Sequence, residues 1–472
     1  MSVFWTLNIG GVSMAELSKI KNVHCIGIGG IGLSAIAEIL ISRGYSVSGS
    51  DIKESNITSH LEKLGAVIHY GHKAENIEKA EILIYSSAVY SENPEIVRAK
   101  EKGLPIKSRA EILGCLMDEY DNSVAICGTH GKTTTTSMVS LIIRKARFNP
   151  TILVGGELNE IKGNVEVGSG PYFVTEACEY MDSFLCLRPK VGVILNIDSD
   201  HLDYFKDMDH IVNSFKSFTD KVREDGVIIA YSANPFVTEA ISDKNNKITY
   251  GYGTECDYYA KNIIFDDFGM SEFDLYKHGE FHIRLKLNVP GEHNILNAMA
   301  AYATCDYFGV DRQIISETLK EFKGTHRRFD VRGISNKGFT IVDDYAHHPT
   351  EIKATLSAIK NIKHNKLWCI FQPHTFTRTM ALLEDFAEAF DGTDTLIIPD
   401  IYAAREKNIY NITSETLVKK IKEKYPKKDV KYVNDFEEIA NMIYNDADEG
   451  DLVLTMGAGD VYKIGEKILE ME

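Results

Sequence analysis

Residues 128–136 read GTHGKTTTT. The apolar run SVAIC (123–127) precedes them and a helix-compatible stretch follows, so the segment has the strand, glycine turn and helix start of a phosphate cradle. In such a turn Gly128, Thr129, His130 and Gly131 can present backbone N–H groups as an anion nest, with Thr134 in the same first turn. Lys132 can reach β- and γ-phosphates, and the Thr133 hydroxyl can ligate Mg2+. The strict pattern G-x-x-x-x-G-K-[ST] would put glycine where Ile126 stands, so a chance glycine turn is the competing reading. Four successive threonines are poor helix material, which fits hydroxyls retained for a site or simple tolerance at a helix N-terminus.

At 472 residues the chain exceeds what one hydrophobic core supports and predicts two to four domains. A net charge of −16 argues against nucleic acid or an anionic membrane as partner, yet leaves room for a locally positive cleft that takes small anions. The eight cysteines include no C-x-x-C pair, and a chain of this size needs no disulfide staples; reduced thiols and a cytoplasmic location are expected. No apolar run reaches a spanning length, and MSVFWTLNIGGVS lacks a basic signal-peptide start. Residues 1–13 are expected to be a tail, with Met14 an alternative start.

Strands alternate with helices along nearly the whole chain, which predicts α/β architecture with parallel sheets. The first unit is expected over 14–107 and a larger one over 108–325, with antiparallel hairpins at 257–289 where DDFG and KHGE mark turns. A third βα unit is expected over 326–472.

The first unit carries G-x-G-x-x-G as Gly27, Gly29 and Gly32, with Gly30 between, just after a strand and opening a helix. Asp51 follows about 20 residues on, as in dinucleotide sites. NAD or FAD, another diphosphate such as a nucleotide sugar, and a tight turn without ligand all remain open here. Glu176 ends a predicted strand and His201 follows another in NIDSDHLDYF, on the edge that carries the phosphate loop, as metal ligands or as a solvated acid and a hydrogen-bonded loop histidine. Asn294 and Asn297 share a helix face, although Asn294 also reads as an N-cap. The stretches HRRFD, DDYAHHPTE, PHTFTR and IYAARE gather Arg, Asp and His at strand ends of the third unit, where Arg forks suit phosphates and carboxylates.

GTHGKTTTT, TEACEYMDSF, NIDSDHLD, GEHNILNA, HRRFD and DDYAHHPTE occur in this order. Together they resemble the Mur ligase family, whose GTxGKT[ST] loop replaces the strict phosphate-loop pattern. The resemblance implies three domains: Rossmann-like, central P-loop ATPase-like with an antiparallel section, and C-terminal Rossmann-like. It implies a cytoplasmic enzyme of peptidoglycan synthesis that uses ATP to join an amino acid to the carboxylate of UDP-N-acetylmuramate through an acyl phosphate. GIGGIGLS, the SSA strand end and PHTFTRT make L-alanine the expected amino acid. By the same resemblance Lys132 meets the β/γ-phosphates and Thr133, Glu176 and His201 hold two Mg2+ or Mn2+ ions. Asn294, Asn297, Arg328 and Asp344 attend ATP. Gly27, Gly29, Gly30, Gly32, Ser86 and Ser87 hold the UDP moiety, with His348, His374 and Arg378 on the substrate side. Cys178 and Tyr180 depart from a family pattern that is more acidic and serine-rich there. A ligase recycling a muramyl tripeptide, an NAD-dependent oxidoreductase and a nucleotide-sugar sensor are the competing functions. A monomer or homodimer is expected, with no nucleic-acid or membrane partner.

Overall fold

The computed structural model describes residues 17, 19–86, 88–202, 204–404 and 406–471. The expected tail at 1–13 and Ser87 lie outside them. The chain folds around three sheets. β1 (Asn22–Ile26), β2 (Ser46–Asp51), β3 (Val67–Tyr70), β4 (Ile82–Tyr85) and β5 (Ile106–Ser108) form the first, all parallel, in the order β3-β2-β1-β4-β5. The chain changes direction across the sheet between β1 and β4, so the glycine loop after β1 and Ser86 after β4 share one crevice, where open α/β sheets bind ligands.

The central sheet has ten strands: β6 (Asn122–Cys127), β7 (Thr151–Leu158), β8 (Gly163–Glu166), β9 (Tyr172–Glu176), β10 (Val191–Ile194), β11 (Val227–Tyr231), β12 (Lys247–Gly251), β13 (Tyr258–Phe265), β14 (Met270–Lys277) and β15 (Glu280–Pro290). Its order is β15-β14-β13-β12-β11-β10-β6-β9-β7-β8. The expected hairpins are the antiparallel run β13-β14-β15. β15 alternates buried and exposed residues, which leaves one face for the core. β6 is central and wholly apolar beyond its first two residues, and Ile126, with Glu176 and Val193 as its register partners, is fully buried. Glycine is not needed there, because the phosphate turn begins two residues later.

The third sheet orders β16 (Asp330–Ile334), β17 (Thr340–Asp344), β21 (Leu452–Met456), β18 (Leu367–Phe371), β19 (Thr395–Ile398) and β20 (Asp429–Tyr432). Only β16 runs antiparallel.

At the join of the first two units β5 runs to Ser108, and helix Arg109–Met117 packs on β4, β5 and helix Ile31–Ser42 and also on the segment Tyr180–Cys186. Its capping box, Ser108 with Glu111, starts that helix directly from the strand. After β18 the chain forms two short helices, Phe376–Ala381 and Leu383–Ala387, broken at Leu382.

Candidate functional site

Gly128 (φ 133°) and Gly131 (φ 86°) turn the chain from β6 into helix Lys132–Lys145. Both conformations favour glycine, and at Gly131 a side chain would also strike Asn297. The loop is pinned by its neighbour after β10: His130 N–H donates to Asn196 Oδ1 (2.8 Å), Asn196 Nδ2 donates to His130 O (2.9 Å), and Asp198 N–H donates to Thr129 Oγ1 (2.8 Å). The Lys132 ammonium is folded into the loop, donating to Gly128 O, Thr129 O and Glu179 Oε1 (3.0 Å). Burial works against its charge, but Glu179 and the carboxylates around it hold its pKa above the ordinary lysine range.

Glu179 is 3 % exposed and its Oε2 has no hydrogen-bond partner. His201 Nε2 lies 3.9 Å from its Oε1. Glu176 and Thr133 come to the same edge because β7 carries two glycines. A Cβ on Gly155 would lie 2.7 Å from Glu176 Oε2, and one on Gly156 would lie 3.3 Å from Thr133 Cγ2. Glu176 Oε1 also accepts from Gly155 N–H (2.7 Å). Carboxylates, a hydroxyl and an orphaned buried oxygen form a donor set that fits a hard divalent cation, and the His201 imidazole would admit Mn2+. His201 itself has φ 54° and packs its ring on Tyr180 at 4.7 Å.

Beside the loop a cavity of about 410 Å3 opens between the central and third units. Gly131, Thr134, Asn294, Asn297, Arg328 and Asp344 all line it. Asn297 Nδ2 donates to Asn294 Oδ1 (3.0 Å) and Asn294 Nδ2 to Pro290 O (2.7 Å), so the pair holds the start of helix Glu292–Tyr307 beneath the loop. Asp344 accepts from the N–H groups of Phe329 (3.0 Å) and Ala346 (2.7 Å); burial pushes its carboxyl up to about 6 although Arg328 opposes this. Arg328 lies over the Tyr345 ring, 5.0 Å from its centroid.

The third unit meets the phosphate loop through charged pairs. His130 stands between Asp198 Oδ2 (3.1 Å) and Glu351 Oε1 (3.3 Å). Burial opposes its charge, but the two carboxylates hold the imidazolium pKa up to about 9. Thr350 Oγ1 donates to Asp198 Oδ2 (2.7 Å), and His348 Nε2 contacts Ser199 O at 2.9 Å. Burial holds the His348 and His347 rings below the usual histidine range, His347 at about 4. Arg378 grips Asp200 through Nε (3.2 Å) and Nη2 (3.0 Å) and reaches His374 Nδ1 (3.2 Å), whose ring stacks on Tyr402. A cavity of about 30 Å3 lies between these groups and His201.

In the first unit the crevice is separate. Gly27 and Ile28 N–H groups both donate to Ser50 O, Gly30 N–H to Gly27 O, and Gly29 N–H to Asp51 Oδ2 (2.8 Å). Asp51 is thus turned to the loop backbone. Ser86 Cβ would lie 3.5 Å from a Cβ on Gly27.

The sequence reading overlooked Glu179, Asp198, Asp200, Asn196, His293 and Glu351. Asp198 and Asp200 were legible as acids directly after a strand. Glu351 looks like the fourth residue of an H-P-T-E capping box, and it is one, its Oε2 accepting from His348 N–H (3.3 Å), while Oε1 serves His130. Glu179 carried no local signal, since only the fold turns it toward Lys132. His293 lines the large cavity, and burial holds its ring at about 4.

Three family profiles match in succession: "Mur ligase family, catalytic domain" over residues 22–121, "Mur ligase middle domain" over 126–305, and "Mur ligase, glutamate ligase domain" over 327–459. A UDP-N-acetylmuramate–L-alanine ligase of Caldanaerobacter subterraneus subsp. tengcongensis is 50% identical over 456 residues, 96% of this chain and 98% of its own. One from Clostridium tetani is 50% identical over 462 residues, 97% of this chain and all of its own. The crystal structure of UDP-N-acetylmuramate-alanine ligase MurC from Thermotoga maritima aligns with a TM-score of 0.81 at 31% identity, covering 95% of this chain and 98% of that one. With a phosphate loop, a cation-fitting cluster and a third unit set against both, and with all three profiles in register, the chain belongs to the Mur ligase family.

Proposed function

We propose that this protein joins L-alanine to the lactyl carboxylate of UDP-N-acetylmuramate with cleavage of ATP to ADP and phosphate, in the cytoplasm. The observation that carries the reading is 50% identity, from end to end, to ligases named for that reaction. The site chemistry supports it. The substrate carboxylate attacks the γ-phosphorus, ADP leaves, and an acyl phosphate results. The amine of alanine then attacks the acyl carbon and phosphate departs. Both donors are anionic, so neutralising and aligning them is the main task. Lys132, released from Glu179, faces the β/γ-phosphates. Thr133, Glu176 and His201, with Glu179, would hold divalent cations, which when bound supply neutralising charge to the phosphate oxygens. Asn294, Asn297, Arg328 and Asp344 surround the nucleotide in the larger cavity. Arg378, His374 and His348 lie on the acceptor side.

The test is phosphate release with each component omitted in turn. Release should require ATP, UDP-N-acetylmuramate and alanine together. Release that needs a tripeptide in place of alanine would move the protein to recycling. Release that ignores the UDP-sugar would overturn the reading.

A further inference from the structure

Two backbone turns beside Lys132 adopt a conformation that side chains other than glycine rarely enter. After β9 the chain passes Glu179 and Tyr180 and then takes Met181 (φ 54°) and Asp182 (φ 55°) through the left-handed region. After β10 it reaches His201, left-handed as well at φ 54°. Methionine has no preference for that region, so contacts from elsewhere must hold the first turn in place.

Asp182 and Tyr204 close the two turns. Asp182 N–H donates to Glu179 O (3.0 Å), and Tyr204 N–H donates to His201 O (2.9 Å). The same two residues are then joined side chain to side chain: Tyr204 Oη donates to Asp182 Oδ2 (2.5 Å). Burial and Asp182 hold the Tyr204 phenol above its ordinary range, so it stays a donor. Asp182 Oδ1 accepts from Ser214 Oγ on helix Met208–Thr219, whose Phe215 and Phe218 pack on Phe184. With both oxygens engaged by hydroxyls, Asp182 acts on the site through the two turns. Across the link the Tyr180 ring lies 4.7 Å from the His201 ring, and His201 Nε2 lies 3.9 Å from Glu179 Oε1. The buried Glu179 Oε2 has no hydrogen-bond partner.

We propose that Asp182 is a positioning residue: its bond to Tyr204 clips the turn that presents Glu179 to the turn that presents His201, and so sets the spacing of these two groups for a divalent cation and for Lys132. The inference rests on the cation reading above. Opening the clip lets the turns separate. Cation affinity then falls while the glycine loop of the first unit is untouched. The ligation rate should fall at low Mg2+ and recover part way at high Mg2+, because the ligands are misplaced but still present.

Mn2+ binding to the full-length chain, read by electron paramagnetic resonance with the non-hydrolysable ATP analogue AMP-PNP present, is the test. Asp182→Gly keeps the left-handed backbone, which glycine enters freely, and removes only the carboxylate. It should weaken Mn2+ binding by about 10–100-fold, the scale for a group that orients metal ligands. Asp182→Asn tolerates the same backbone and keeps one acceptor, so it should recover part of the loss. Tyr204→Phe should match Asp182→Gly, and the double variant should be no worse than either, as for two halves of one contact. UDP affinity, which reports the fold away from this site, should hold in all four. Wild-type Mn2+ affinity in Asp182→Gly would overturn the assignment, as would additive losses in the double variant or an equal loss of UDP affinity. A wild-type spectrum identical to that of Mn2+–AMP-PNP free in solution would overturn the cation reading itself.

Discussion

The loop after β1 and the loop after β6 solve one local problem in the same way: a buried parallel strand, a glycine turn and a helix start. Their surroundings differ. The glycine loop of the first unit has no charged residue of its own and spends four amides on Ser50 O, its own Gly27 O and the Asp51 carboxylate, while the Arg109 side chain reaches it from a later helix. The phosphate loop carries Lys132 and His130 within it and is met by Glu179, Asp198 and Glu351. The first arrangement suits an anion that is held and left unchanged. The second suits an anion whose charge is redistributed, because charges of both signs stand ready around it. Backbone shape therefore marks both as anion sites, and the side chains around each decide what happens there.

Removing Lys132 should break the comparison most completely. Lys132→Ala is expected to lower the ligation rate by about 10²–10³ or more, the range for a lost transition-state contact, while UDP affinity at the other loop stays as it was. Near-normal turnover in a folded variant would refute the assignment. Arg328 touches neither loop directly but lines the cavity between the central and third units. Arg328→Ala should cost about 10–100-fold in rate, on the scale of a charged contact to phosphate, with UDP-N-acetylmuramate affinity little changed. A defect confined to UDP-sugar affinity would place Arg328 with the wrong loop.

Gly29→Ala gives the complementary result. Its Cβ would lie 2.8 Å from Asp51 Oδ2 and would force that carboxylate off the loop. UDP affinity should fall by about tenfold, near one hydrogen bond to a charged group, and ATP affinity should not move. Equal losses for both nucleotides would show that the two loops are not independent.

The smallest effect concerns the seam between the third unit and the phosphate loop. The His130 pKa is raised above that of an ordinary histidine, to about 9, so the stabilisation from its charged pairs is complete below about pH 6.5 and is lost as pH rises through about 9. Asp198 and Glu351 are held below the usual carboxylate range and stay ionised throughout that window. Small-angle scattering from pH 7 to 10 should show a modest expansion above pH 9, and His130→Gln should flatten it. The chain passes from the central to the third unit at Gly324–Asp330, where Gly324, Arg327 and Phe329 all have positive φ, the latter two at 61° and 49°. An unchanged radius of gyration in the wild type would remove His130 from any role in holding the seam.

The two loops were legible in the sequence because they depend on short-range chemistry: glycines at fixed spacing, an apolar strand before and a helix after. Glu176 was legible for a related reason, as the acid that ends an apolar run, and His201 as a polar residue a few positions beyond another. Glu179 was not. Its role depends on the turn at Met181 and Asp182, both with positive φ, and on packing that leaves one carboxylate oxygen with Lys132 and the other without a partner. Glu351 was hidden by doing two jobs, since its capping role is local and its bond to His130 spans 221 residues of sequence. Strands β7, β8, β12, β16 and β20 were also missed. Several are short or half-exposed, and their pairing rather than their composition makes them strands.

By itself the sequence determined the α/β class, the antiparallel section, both glycine turns and the cation that ends the phosphate loop. Each follows from periodicity or spacing within about a dozen residues, which local sterics and burial are enough to enforce. Tertiary structure decided what helix Arg109–Met117 packs on, which acids meet Lys132 and His130, and that the Arg109 side chain lies over Gly32. Those outcomes depend on which sheet edges face one another. That is set by the packing of whole units, in which residues far apart in the chain become neighbours and a charge finds its partner or is left without one.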